Sequence, residues 1–244
     1  MRCRHPPTTS KSNAVAGKTG KLALRIGVDA ALALCFVAVM ATALVQEAPH
    51  EYLGLALFAL MVVHVVVNRR WFTALTRGRY SAVRVLQLVS IVGLVVCVVG
   101  QIASAVVLSK HALGFLPAVP GASWARQAHM LCSYWSFMLA FAHVGLQLKG
   151  MLAHMGGLRN VPAAGLWALR AVWLVVAVFG AVSFVQLGMA DYLFARVQFA
   201  AADYSAPLVL TFARYASVAI LVAGLFHYLR AALETRKRAA SASS

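Results

Sequence analysis

The chain has 244 residues, 62% of them hydrophobic and 11% charged, with a mean hydropathy of +0.80. That composition excludes a soluble globular domain and reads as a protein that crosses a membrane several times. A net charge of +16 would point to nucleic acid in a soluble protein, but here the basic residues stand in short stretches between apolar runs, the pattern of topology signals and of contact with anionic lipid.

Residues 1–21 are polar and carry Arg2, Arg4, Lys11, Lys18 and Lys21, so a disordered basic tail is expected. The apolar stretch Leu22–Val45 is too long for the hydrophobic region of a signal peptide, despite the cleavage-like Ala41-Thr42-Ala43, and an uncleaved first span follows. Asp29 lies inside it. An acid in a span needs a partner, and Arg25, one turn earlier on the same face, is the nearest candidate. Pro49 fits the first turn of a second helix, His50–Asn68. The third is expected over Ala82–Leu108, the fourth from about Ala125 to Lys149, the fifth over Ala163–Met189 and the sixth over Pro207–Leu229. Each has at least the roughly 20 residues a bilayer requires.

Between the last two, Asp191–Tyr204 places Leu193, Phe194, Val197 and Ala201 on one face, the pattern of a short amphipathic helix lying in the outer interface. The expected fold is all-α. A six-span transmembrane bundle over 22–231 stands between the tail 1–21 and a cytoplasmic tail 232–244.

With the N-terminus inside, every Lys and Arg except Lys110, Arg126, Arg196 and Arg214 falls on the inner side, and Glu47, Glu51, Asp191 and Asp203 fall on the outer. The positive-inside rule then puts both termini in the cytoplasm. Of the four cysteines, Cys3, Cys35, Cys97 and Cys132, none forms a CxxC pair or precedes the histidine of a covalent haem attachment. They read as small hydrophobes.

The strongest pattern is in the histidines. His50 and His64 stand fourteen positions apart in the second span, and His129 and His143 repeat that spacing in the fourth. Fourteen residues of helix return to within about 40° of the starting direction and rise about 21 Å. Each helix therefore presents two imidazoles on one face, near opposite membrane edges. With one span between them, the second and fourth helices run in the same direction, so His50 pairs with His129 at the outer side and His64 with His143 at the inner. Two such pairs suit two non-covalent haems b, each held by two histidines, about 21 Å apart along the helices. The fold is then a four-helix core that carries the histidines plus two C-terminal spans.

Gly54 and Ser133, one turn beyond the outer histidines, leave room for a porphyrin edge, although small residues also serve ordinary helix packing. Arg126 and Arg69, with Arg70 and Lys149, lie within two turns of a ligand, where propionates would emerge. Arg214, inside the sixth span, is expected to pair with Asp203 or reach a propionate. His5, His111, His154 and His227 read as solvated or interfacial.

Two other readings compete. A metal-ion transporter would also use intramembrane histidine, but with carboxylates close by, and only Asp29 and Glu51 are placed for that. His50-Glu51 begins like the zinc-protease HExxH, yet Gly54 stands where its second histidine belongs. A haem-free structural subunit would use the histidines as links between helices. No GxGxxG fingerprint occurs, so a flavin or nicotinamide would belong to a partner. A quinone pocket would draw on Gln87, Gln101 or Gln186.

The runs HEYLGLALFALMVVHVVVNRRWF, HMLCSYWSFMLAFAHVGLQLKGML and DYLFARVQFAAADYSAP resemble a family of bacterial integral-membrane proteins of uncharacterised function. That family is similar to the diheme b-type cytochromes of respiratory complexes and is associated with extracytoplasmic flavin-dependent electron transfer. The resemblance covers most of the chain between the first and sixth spans. It implies His50, His64, His129 and His143 as haem ligands, a place in the bacterial inner membrane, and electron transfer with a flavoprotein or other redox partner. The implied role is an electron-transfer subunit rather than a stand-alone oxidoreductase. Gln147-Leu148 stands where the family often has histidine-tryptophan, and Gln198 near another frequent histidine. These departures bear on an accessory or partner surface and leave the four ligands untouched.

Overall fold

A computed structural model describes residues 9–42, 47–73, 80–117, 120–154, 161–197 and 206–242. Among these there is no strand, and the helices are α1 (Thr9–Thr42), α2 (Glu47–Val67), α3 (Arg70–Thr73), α4 (Ala82–Leu108), α5 (Ala122–His154), α6 (Ala163–Gln186), α7 (Met189–Leu193) and α8 (Leu208–Ala242). Six are long and apolar enough to cross a membrane, the first over Leu22–Thr42 and the last over Leu208–Ala239. Lipid offers no hydrogen bonds to a backbone, so helices that satisfy their own are the form such segments take.

The ends differ from the sequence reading. Helix α1 starts at Thr9, within the expected disordered tail, and α8 continues to Ala242, through most of the expected C-terminal one. An apolar span already provides the costly helical nucleus, and each further residue adds one hydrogen bond to it. Residues 1–8 and 243–244 lie outside the described set.

The expected interfacial helix is cut short. Helix α7 has five residues, and Ala195 beyond it takes φ 52°, a left-handed conformation that ends the turn. Arg196 folds back onto Asp191, with its N–H on the Asp191 carbonyl at 2.8 Å and the two side chains paired at 3.6 Å. Trp135 Nε1 donates to the Leu193 carbonyl at 2.9 Å, tying this turn to α5. Met189 and Tyr192 are buried, so the segment reaches into the bundle. Gln198 to Tyr204 lie outside the described residues.

In lipid, apolar area alone does not hold helices together, and close packing over small residues takes over. A Cβ on Gly100 would meet Cys132 Sγ at 2.6 Å, and one on Gly93 would meet Leu139 Cδ1 at 2.8 Å. These two glycines, two turns apart on α4, therefore set α4 hard against α5. On another side of α5, Tyr134, Phe137 and Phe141 join Phe36 of α1, Tyr192 of α7 and Tyr215 of α8 in a buried aromatic cluster. Tyr134 stacks on Tyr192 at 4.4 Å between centroids and shares a 3.2 Å hydrogen bond with the Tyr215 hydroxyl. Edge-on and offset ring contacts of this kind contribute about 0.5–1.5 kcal/mol each beyond area.

The bundle is open on one side. Helix α2 packs along α1, and no Cα of α2 comes within 8 Å of any Cα of α4 or α5 among the described residues. No residue of α2 is buried. A gap therefore separates α2 from α4 and α5, while α1 reaches α5 through Phe36.

Candidate functional site

That gap is lined by the histidine-bearing faces. On α5 the row His129, Ser133, Ser136, Ala140 and His143 lies between the face packed on α4 and the aromatic face turned to α8. On α2, His50, Gly54, Leu57, Met61 and His64 are all half-buried, while Tyr52, Leu55, Phe58, Val62 and Val65 on the other sides are exposed. A Cβ on Gly54 would meet nothing within 4 Å, so the groove there is open.

His50 and His129 face each other across the gap. The ring centroids of His50 and His129 are 6.1 Å apart and the rings are rotated by 72°. Two metal–nitrogen bonds of about 2 Å, plus about 1 Å from each nitrogen to its ring centre, put two trans imidazoles on one ion about 6 Å apart between centroids. Rotation about the shared axis is free, so 72° is no obstacle. The same separation and angle also fall in the range of an edge-to-face ring contact, so the geometry admits either that contact or an ion between the rings. The inner histidines come to the other end of the same two helices, with His143 in electrostatic range of His64 and of Asp29.

Each hairpin supplies the other ring nitrogen with a partner from its supporting helix. His50 Nδ1 lies 3.2 Å from the carbonyl of Val39, which sits in the last turn of α1, where carbonyls lack a helical donor. A carbonyl only accepts, so Nδ1 carries the proton and Nε2 keeps its lone pair. His129 Nδ1 lies 3.2 Å from Ser104 Oγ. The Ser104 proton is directed to the Gly100 carbonyl at 2.7 Å, which leaves the hydroxyl oxygen as acceptor and gives His129 the same tautomer. Ser133 donates to the His129 carbonyl at 2.7 Å and receives Gln101 Nε2 at 2.8 Å.

His64 Nδ1 meets Asp29 Oδ1 at 2.7 Å. The local Arg25–Asp29 pair expected from sequence does not hold Asp29. Arg25 Nη2 instead donates to the Val67 carbonyl at 3.3 Å, in the unpaired last turn of α2. His143 Nδ1 is shielded and has no hydrogen-bond partner among the described residues.

Glu51, next to His50, closes the rim of the gap at that end. It accepts from Ser109 Oγ at 2.7 Å and from the N–H groups of Lys110, His111 and Ala112 at 2.9, 2.9 and 2.7 Å. Glu47 adds a 3.1 Å ion pair to Lys110. These bonds tie the start of α2 to the α4–α5 connection. Both acids that a cation transporter could have used, Asp29 and Glu51, are thus held by protein donors, and no group of three or more His, Cys, Asp or Glu gathers among the described residues.

Arg126 is exposed one turn before His129, and Arg69 is exposed just past α2. Arg214 Nε is shielded in α8 without a partner among the described residues, and its expected partner Asp203 lies outside them. Of the glutamines considered for a quinone, Gln101 is engaged by Ser133 and Gln186 is exposed. His111 is exposed near Glu47, while His227 lies in the C-terminal half of α8, in a groove of about 300 Å³ with Lys149, Glu234 and Arg238. His5 is outside the described residues. Cys35, Cys97 and Cys132 are free thiols.

Sequence reasoning missed Ser104, Val39 and Glu51 as supports, and assigned Asp29 to a neighbour on its own helix. Comparison with protein-family models, with curated proteins and with solved structures finds no match. The functional reading rests on this chain's own geometry.

Proposed function

We propose that the chain is a membrane diheme b-type cytochrome that carries electrons across the bacterial inner membrane between a quinone or cytoplasmic donor and an extracytoplasmic redox partner such as a flavoprotein. The observation that carries this reading is the pair His50 and His129, 6.1 Å between centroids across an open gap, each with Nδ1 on an acceptor. A haem b bound between such histidines supplies a one-electron ferric–ferrous couple with no open coordination position. His64 and His143 stand fourteen residues further along the same helices, His64 with Nδ1 on Asp29 and His143 with Nδ1 unpartnered among the described residues. The residues present fit two such groups.

Within this reading the protein does three things. His50, His64, His129 and His143 would each offer a ring nitrogen to hold a haem iron, and Val39, Ser104 and Asp29 fix the tautomer and orientation of three of them. The apolar walls of α2 and α5, with Leu57, Met61 and Ala140, keep water from the space between the two pairs. Arg126 at the outer rim and Arg69 at the inner stand where propionates would reach the interfaces. The cytoplasmic placement of both termini follows from the basic residues of the inner connections.

A pyridine haemochrome assay with a reduced-minus-oxidised spectrum on the purified protein tests this. Two haems b per chain with sharp low-spin α bands are expected, and His64→Ala should keep one. A protein that takes up no haem under adequate supply would refute the cytochrome, and a metal analysis of that sample would then separate a cation site from a structural subunit.

A further inference from the structure

The two histidine pairs are not supported alike. His50 rests on a backbone carbonyl and His129 on a serine hydroxyl, both neutral, and His143 Nδ1 has no partner among the described residues. His64 alone is held by a carboxylate, Asp29 Oδ1 at 2.7 Å from Nδ1. Asp29 sits in the span Leu22–Thr42, where an acid is costly and needs a reason. Arg25, one turn away, is turned to the Val67 carbonyl, so the acid reaches to another helix rather than to the cation beside it.

Building on the diheme reading, we propose that Asp29 is a positioning residue that makes the inner pair the lower-potential centre, so that electrons run from the cytoplasmic side outward. A carboxylate that accepts the Nδ1 proton raises the basicity of the imidazole toward a metal on Nε2. A stronger donor and a nearby negative charge both stabilise the more positive, ferric state over the ferrous one. Glu51, the acid beside His50, has its carboxylate taken up by four donors at the rim, and the Nδ1 partners of the outer pair are neutral, so the outer pair has no carboxylate in contact with a ligand and feels both effects less. Arg69 opposes them from an exposed position, where water and salt screen its charge, whereas Asp29 is in direct contact with its histidine. The transfer balances as one electron. The inner centre is oxidised from ferrous to ferric, the outer is reduced from ferric to ferrous, and no proton moves. A quinol or other cytoplasmic reductant refills the inner end, and an extracytoplasmic oxidant drains the outer.

The test is a mediated redox titration of the haem-loaded protein, followed at the α band, on the wild type and on His64→Ala, Asp29→Asn and Asp29→Glu. Haem content is measured first, and a wild type without haem overturns the diheme reading itself. With two haems present, two one-electron waves are expected, and His64→Ala should remove the lower. Asp29→Asn should retain both haems and raise the lower wave by about tenfold in its reduction equilibrium, about 59 mV for one electron, while the upper wave stays in place. Asp29→Glu, which keeps the charge, should return most of that shift. Loss of the upper wave in His64→Ala, or two unmoved waves in Asp29→Asn, would overturn the proposal. If Asp29→Asn sheds its inner haem, the wave removed by His64→Ala together with the position of that wave in Asp29→Glu decides the matter.

Discussion

The hydroxyl of Ser104 shows how much one small side chain can do at this site. Its proton goes back to the Gly100 carbonyl one turn earlier and its oxygen accepts from His129, so one atom both bonds back onto its own helix and sets an imidazole tautomer. On the proposed diheme reading, Ser104→Ala should leave the fold intact while weakening haem binding at the His50–His129 pair by about 10–100-fold, the usual cost of losing such a partner, measured by the rate of haem loss to a scavenger. Ser104→Thr keeps the hydroxyl and should restore binding. The four histidines themselves were legible in the sequence, because a fourteen-residue repeat on a helix fixes both face and depth. Their supports were not, because each comes from a helix 11 to 35 residues away along the chain. Asp29 illustrates the difference. Sequence proximity favoured Arg25, whereas packing of α1 on α2 placed His64 in contact instead.

At the scale of elements, the two hairpins are joined at the outer rim through Glu51. Its carboxylate takes four donors from the α4–α5 connection, and hydrogen bonds to a charged group contribute about 1.5–3 kcal/mol where they are sheltered. Glu51→Ala leaves those N–H groups without their acceptor and lets the gap widen. A lower thermal midpoint and selective loss of the outer haem are expected, with the inner haem retained. A second contact is less forgiving. A Cβ on Gly145 would run into the backbone carbonyl of Ala223 on α8, and backbone on two packed helices cannot move aside as a side chain can. Gly145→Ala should cost about 1–3 kcal/mol by overpacking, read as a lower midpoint in detergent with haem spectra unchanged in the surviving fold. The spans were readable from hydropathy alone, to within a few residues at most ends. The interfacial helix was not, since its amphipathic pattern carries no sign of the left-handed turn at Ala195 that ends it.

The whole molecule divides into a well-packed half and a loose one. Helices α5, α7 and α8 enclose the aromatic cluster with part of α1, while α2 leans on α1 and on the rim contacts of Glu47 and Glu51. A group bound in the gap would bridge the halves, and a ligand that binds only the folded form stabilises what it touches. Hydrogen exchange in detergent should accordingly show α2 amides protected on haem loading far more than those of α8, where packing already provides protection. Equal changes in both helices would argue against a group held between α2 and α5.

By itself the sequence determined that this chain is a six-span helical membrane protein, which way it is expected to face, and which four histidines share two depths. Those properties depend on composition, on the charge of connections and on helical periodicity, all local quantities. Only the tertiary structure decided that α2 and α5 stand apart with their histidines facing across a gap, that Asp29 serves His64, that Glu51 belongs to a loop, and that the two pairs have unequal supports. Such features depend on which helices pack together and how closely. That is set by side chains far apart in the chain, such as Gly93 and Gly100 against Leu139 and Cys132, whose contacts no local pattern encodes.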